Sequence, residues 1–210
     1  MICSLRWTEM PGHLTIVTED LPSEIVTEIL LSHVDPHGVV VNRLGRQGNG
    51  YIRRKLKDFN EAAAGLKIFV LTDRDSVLNC PIELRQEWIR GPQAPNLVVR
   101  FAEMETEAWL LADPDRVTEF LEIPGNRVPN NVDRLPDPKQ TFVNLARSSR
   151  NSRIRDDMVP AQGASAAVGP AYNPRVEEFL RTKWRVGVAI ENSPSLKRAA
   201  TRLRELMHRE

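Results

Sequence analysis

The sequence predicts an α/β fold, a doubly wound sheet of about four parallel strands with a helical, loop-rich C-terminal extension. Three observations carry that reading. Short β-branched apolar runs alternate with stretches of helical periodicity through the first half, the pattern of parallel strands joined by crossover helices. Two of those runs end abruptly in acidic residues. Beyond Trp109 the strand-type runs stop and prolines accumulate, at Pro114, Pro124, Pro129, Pro136 and Pro138. Residues 1–113 are accordingly read as the α/β core and 114–210 as a helical extension packed on it.

Each element has its own signal. Residues 14–18, Leu-Thr-Ile-Val-Thr, read as the first strand. Pro22 suits the first turn of a helix over 23–32, where Ile25, Val26, Ile29 and Leu30 share a face. Residues 39–41 read as a short buried strand. After a glycine-rich turn (Gly45, Gly48, Gly50), Ile52, Leu56, Phe59 and Ala63 recur at helical spacing. Residues 68–71 form the third strand, 83–89 a helix and 97–101 the fourth strand. In the extension, helices are expected at 115–121, 139–148 and 174–182, with loops over 124–138 and 159–173. A last helix starts at Ser193 as N-cap with Pro194 in its first position, and Leu196, Ala200, Leu203 and Met207 line one face.

Composition narrows the function classes. The chain of 210 residues is 41% apolar and 27% charged, ordinary for a globular protein, and long enough to bury a real core. A net charge of +1 does not mark a nucleic-acid binder, although local patches can still act as one. Cys3 and Cys80 are too few for a disulfide framework and lack zinc-ligand spacing. His13, His33, His37 and His208 form no His-x-x-x-His pair. No apolar stretch approaches the ~20 residues of a membrane span, and there is no signal-peptide pattern, so a cytoplasmic protein is expected.

The acidic strand ends carry the chemistry. Glu19 and Asp20 follow the first strand; Asp73 and Asp75 follow the third. Strand carboxyl ends of an open parallel sheet face one crevice, where ligands bind. Carboxylates gathered there repel one another, and a divalent cation with oxygen ligands is the usual relief. Alternate residues leaving a strand point the same way, so Asp73 and Asp75 can face one cation while Arg74 points elsewhere. An Asp-x-Asp in a turn or cap is the competing reading. Glu19, directly at the strand end, suits a metal ligand or general acid/base, whereas Asp20 and Glu24 suit the N-terminus of the next helix. A third cluster, Glu103, Glu105 and Glu107, opens a helix after the fourth strand and fits the helix dipole. Glu105 and Glu107 lie about 200° apart on an ideal helix, so one of them is the natural further ligand. Trp109 reads as core rather than a stacking platform.

Two basic features stand beside the acids. The segment from Arg43 to Lys57 offers glycine amides together with Arg46, Arg53 and Arg54, as a phosphate-contacting loop and helix would. It lacks the Gly-Lys-Ser/Thr ending of a Walker motif, and a loop before a solvated helix face is the alternative. Arg147, Arg150, Arg153 and Arg155 fall within nine residues and suit a nucleic-acid backbone, a partner's acidic surface or plain solvation.

Strand-Glu, helix, strand, helix, strand-Asp-x-Asp resembles the Toprim domain of topoisomerases, bacterial primases and OLD-type nucleases. In haloacid-dehalogenase-like phosphatases the Asp-x-Asp closes the first strand; here it closes the third. The chain looks most like the small stand-alone Toprim-like family of bacterial anti-phage defence loci, often found beside an AAA-type ATPase. The matching pieces are Thr18-Glu-Asp-Leu-Pro-Ser-Glu24, Leu71-Thr-Asp-Arg-Asp75, Glu105-Thr-Glu-Ala-Trp-Leu-Leu-Ala-Asp113, Pro138-Lys139, Gly169 to Tyr172, and Ser193-Pro-Ser-Leu196. The resemblance implies Mg²⁺ or Mn²⁺ bound by Asp73 and Asp75, with Glu19 as ligand or general acid/base and Glu107 or Glu105 completing the site. It implies phosphodiester hydrolysis, with Lys139 among the residues contacting nucleic acid. Glycine usually follows the Toprim glutamate; Asp20 stands here and adds negative charge near the phosphate position.

The expected function is therefore a metal-dependent nuclease, an effector held inactive until a partner releases it, with a homodimer possible. The alternative is a non-catalytic Toprim-like module that binds a metal or a partner ATPase. A phosphatase acting on a small nucleotide is a third reading. A topoisomerase is disfavoured, with only Tyr51 and Tyr172 as candidate nucleophiles. A primase would bring a zinc module that is not visible.

Overall fold

The structure, a computed structural model, describes residues 12–73, 81–89, 91–102 and 106–209. It contains four parallel strands, β1 (His13–Thr18), β2 (Val39–Gly45), β3 (Ile68–Asp73) and β4 (Leu97–Ala102), in the order β2-β1-β3-β4. The chain steps outward from β1 to β2, then returns past β1 to β3 and β4. Reversing direction while keeping one crossover hand requires helices on opposite faces. The apolar residues divide accordingly. Leu14, Ile16, Phe69 and Leu71 join Ile25, Val26 and Leu30 of α1 (Leu21–Val34). Val17, Ile68, Val70 and Val99 join Ile52, Leu56 and Phe59 of α2 (Asn49–Ala62) and Trp88 of α3 (Pro81–Ile89). Because both faces are covered, β1 and β3 read as nearly continuous apolar runs. The doubly wound sheet of four parallel strands with a helical extension, expected from the sequence, is what the chain forms.

β2 departs from expectation. It is seven residues long, not three, and it is exposed: Val39 and Val41 keep 45% and 44% of their surface. Among the described residues it pairs with β1 alone, so an apolar triplet that reads as core by composition lies at the edge of the described sheet.

The extension continues with α4 (Glu107–Leu111), α5 (Pro114–Leu121), α6 (Pro138–Arg147), α7 (Ser152–Met158), α8 (Tyr172–Thr182), α9 (Val186–Asn192) and α10 (Pro194–Met207). Helices α5, α6, α8 and α10 match the sequence reading within two residues at each end. The segment 124–138 is mostly loop, with two 3₁₀ turns, Gly125–Arg127 and Val132–Arg134. Helices α7 and α9 were not expected, since seven residues barely complete two turns and carry no clear period. Their residues join α8 and α10 in covering the α1 face of the sheet, where Trp109, Phe142, Phe179 and Leu203 share one cluster with Leu14 and Ile16.

The segment from Trp109 to Asp113 fastens the extension. Trp109 is fully buried; its indole donates to Ser195 Oγ at 2.6 Å, and its carbonyl accepts from Trp184 Nε1 at 3.3 Å. The buried Asp113 carboxylate accepts from the Arg185 backbone N at 2.9 Å, from Nε at 3.0 Å and from Nη2 at 2.6 Å. Ser193 caps α10 by accepting from Leu196 N at 3.1 Å while donating to Asp133 at 2.7 Å. At the other end of α10, Lys67 Nζ donates to the carbonyls of Met207 and Arg209, 2.7 Å each, just before β3 begins. Among the described residues no helix is long and apolar enough to cross a membrane.

Candidate functional site at the carboxyl edge of the sheet

Strands β2 and β3 flank β1, so connections leaving β1 and β3 depart to opposite faces. Their carboxyl ends form the topological switch point, the crevice where open α/β sheets take ligands. Glu19 follows β1 and Asp73 ends β3, so the strand order brings together two acids 54 residues apart in sequence. Glu19 Oε2 accepts from the Thr72 hydroxyl at 2.9 Å and from the Asp73 backbone N–H at 3.2 Å. Its carboxylate is thereby drawn across to β3.

Asp73 is anchored from the other side. Its Oδ1 accepts from both the backbone N–H and the hydroxyl of Thr106, each at 3.0 Å. With the Thr106 hydrogen given to Asp73, the buried Ser23 hydroxyl, 3.0 Å away, donates to Thr106 in turn. Burial pushes the Asp73 carboxyl well above the usual carboxylate range, and the charges of Glu107, Glu19 and Asp20 push it further, against the opposing pull of Thr106. Thr18 Oγ1, at the end of β1, is buried with no hydrogen-bond partner. Thr18 pairs with Leu71, and strand alternation puts both side chains on the Asp73 face of the sheet.

Glu107 opens α4 and is buried at 3% exposure. Its Oε1 accepts from the Tyr172 hydroxyl at 3.1 Å and lies 3.5 Å from Lys139 Nζ. Tyr172 reaches it because the chain turns tightly at Gly169, where a Cβ would stand 2.5 Å from the Asp157 carbonyl oxygen. A side chain at Gly169 would push the start of α8 away.

No family model, curated protein or solved structure matches the chain. The reading of the site therefore stands on its geometry.

Of the residues singled out from sequence, the structure brings Glu19 and Asp73 into contact, with the Glu107 charge felt at Asp73 and Lys139 beside Glu107. Asp75 and Glu105 lie outside the described residues. Asp20 caps α1, its Oδ1 accepting from Ser23 N at 2.9 Å, the role its position suggested. Arg46 is held by the buried Glu24, with Nε 2.8 Å from Oε2 and a second contact from Nη2 to Oε1. Arg53 pairs with Glu87 of α3, and Arg54 sits on the exposed side of α2. Arg147 ends α6, Arg150 lies in the following turn and Arg153 is in the first turn of α7; all three are exposed. Sequence reasoning missed Thr72, Thr106 and Ser23, the hydroxyls that orient the acids. Only the threonine before each acidic cluster (Thr18, Thr72) hinted at them.

The donor set is all oxygen and anionic, the chemistry of a hard divalent cation. Glu19 and Asp73 fit such an ion in two respects: crowded negative charge that disfavours ionised Asp73, and an orphaned hydroxyl, Thr18 Oγ1, on the Asp73 face. Among the described residues no group of three potential ligands is close enough to hold a metal by itself.

Proposed function

We propose that the chain is a metal-dependent nuclease, hydrolysing phosphodiester bonds of DNA or RNA, and the Toprim-like effector of an anti-phage defence system. The observation that supports it best is the meeting of Glu19 and Asp73 at the switch point, in surroundings that penalise the Asp73 charge. Mg²⁺ or Mn²⁺ would be held by Asp73 with Glu19 and Glu107, joined by Asp75 and Glu105, and when bound supplies an activated water and stabilises charge on the scissile phosphate. Glu19 is either one of these ligands or the general acid/base, with one of its oxygens fixed by Thr72 and the Asp73 amide. Thr106 and Ser23 orient Asp73, and Tyr172 and Lys139 orient Glu107. Lys139, Arg54, Arg147, Arg150 and Arg153 contact nucleic-acid phosphates. Arg46 and Arg53 join them only by leaving Glu24 and Glu87.

A second reading has its own support. Glu107 is already engaged by Tyr172 and Lys139, and the described acids do not make three ligands. A non-catalytic module binding a metal or an AAA-type ATPase would need no more than that.

Purified protein with Mn²⁺ or Mg²⁺ is tested on supercoiled plasmid and on total tRNA, beside Asp73→Ala. Cleavage that requires both metal and Asp73 is the expected result and identifies the substrate. No cleavage, but metal-dependent thermal stabilisation lost in Asp73→Ala, favours the binding module. Release of phosphate from a mononucleotide with both polymers left whole favours a small-nucleotide phosphatase.

A further inference from the structure

A cleft of about 250 Å³ lies against residues 93–95 and 97–100, where the chain enters β4. Arg85 of α3, Arg202 of α10 and Arg209 beyond it line this cleft, so three separate stretches of chain bring guanidinium groups to one cavity. Arg100 borders it too but is engaged within the protein and is not counted here. No acidic side chain lines the cleft among the described residues. The chain as a whole carries 29 basic and 28 acidic residues, so the absence of acids from this lining is a local departure from an even mixture.

The walls are held in place by bonds that leave the three arginine side chains unused. Asn60 of α2 pins the loop before β4: its Oδ1 accepts from Ala94 N at 2.8 Å and its Nδ2 donates to Pro92 O at 3.0 Å. Gln93 Nε2 donates to Leu97 O at 2.6 Å across the same loop. On the other wall, Lys67 Nζ holds the carbonyls of Met207 and Arg209. Arg85 and Arg209 make no ion pair among the described residues. Arg202 pairs with Glu205 at 2.7 Å along its own helix, with both partners exposed. Such a surface pair contributes little and gives way easily to a stronger anion. The cleft is thus built before any ligand arrives, which lowers the ordering cost of binding.

We propose that this cleft binds a run of adjacent phosphates, either inorganic polyphosphate or the phosphate tail of a nucleoside triphosphate. The planar fork of arginine matches phosphate oxygens two at a time, and a cleft lined by one sign of charge concentrates counter-ions of the other. Size points the same way. Pockets that enclose whole drug-sized ligands run from about 300 to 1,000 Å³, so this one takes the phosphates and leaves any attached nucleoside outside. A nucleic-acid backbone is the poorer occupant, because sugars hold its phosphates apart while the arginines converge on one small cavity. The site is separate from the acidic crevice and does not depend on the reaction proposed there.

The probe is sodium tripolyphosphate, titrated calorimetrically into the full chain at constant low ionic strength, with chelator present so that no metal recruits phosphate to the acidic crevice. We expect tripolyphosphate to bind at least about tenfold more tightly than orthophosphate, a difference of about 1.4 kcal/mol. Arg85→Gln combined with Arg209→Gln should weaken tripolyphosphate by a similar factor at unchanged melting temperature, while Arg54→Gln on α2 should leave binding intact. If the double variant melts lower, the single exposed change Arg202→Gln carries the test, with weaker binding at full stability expected. ATP distinguishes the sources: affinity equal to or above that of tripolyphosphate assigns the cleft to a nucleoside triphosphate, and clearly lower affinity assigns it to inorganic polyphosphate. Equal binding of orthophosphate, unchanged binding in folded variants, or displacement of tripolyphosphate by an oligothymidylate of equal charge would each overturn the proposal.

Discussion

Burial and three neighbouring acids hold the Asp73 carboxyl well above the usual carboxylate range, so at neutral pH its ionisation counts against the fold. For a carboxyl raised in this way, the favourable state is fully present below the unfolded value, about pH 4. It is lost as pH rises through the raised value. In chelator at neutral pH, Asp73→Asn should therefore melt above the wild type, and the gap should close as the pH falls toward about 4. A lower melting temperature for the Asn variant at neutral pH would show that the ionised carboxylate is welcome there. With Mn²⁺ present the order should reverse, because only the wild type keeps the ligand charge. Tyr172 gives a second test at this scale. Its hydroxyl serves a buried carboxylate at 3.1 Å, and hydrogen bonds to charged groups contribute about 1.5–3 kcal/mol. Tyr172→Phe should cost an amount in that range by urea denaturation; unchanged stability would remove this bond from the description of the site.

At the scale of elements, the ends of β1 and β2 are coupled through one glycine. Gly45 sits at φ +110°, and a Cβ there would lie 2.0 Å from the Thr18 carbonyl oxygen, one residue before Glu19. Gly45→Ala should thus destabilise the protein by well over the ~1 kcal/mol of an ordinary glycine replacement and weaken metal binding with it; a neutral effect on both would refute the coupling. Ser193→Ala removes the cap of α10 and its bond to Asp133, an expected loss of about 1–2 kcal/mol in thermal or chemical unfolding. The strands β1 and β3, helix α10 and the acids Glu19 and Asp73 were legible because each has a strong local signal: a β-branched run, a Ser-Pro start, a carboxylate at a strand end. The exposure of β2 was not, since strand order is a property of the whole sheet. Nor were the orienting contacts, because Thr106 reaches Asp73 across 33 residues and Arg46 reaches Glu24 across 22, with nothing local to announce either.

At the scale of the molecule, the α1 face of the sheet is finished by the extension. Trp109, Phe142, Phe179 and Leu203 lie in the same buried cluster as Leu14 and Phe69. A fragment of residues 1–113 should expose that face and fail to give a cooperative thermal transition, whereas the 210-residue chain should unfold in one step. A fragment with sharp melting would make the two parts independent. The tether from Lys67 to the carbonyls of Met207 and Arg209 adds a dimension of time. The lysine that leads into the Asp73 strand meets its acceptors 140 residues later. At about 5–20 residues per second of synthesis, a nascent chain on the ribosome waits on the order of ten seconds between making β3 and securing it. If the acidic crevice cuts nucleic acid, the strand that carries Asp73 gains this last tether only after the messenger that encodes it has been read through residue 209.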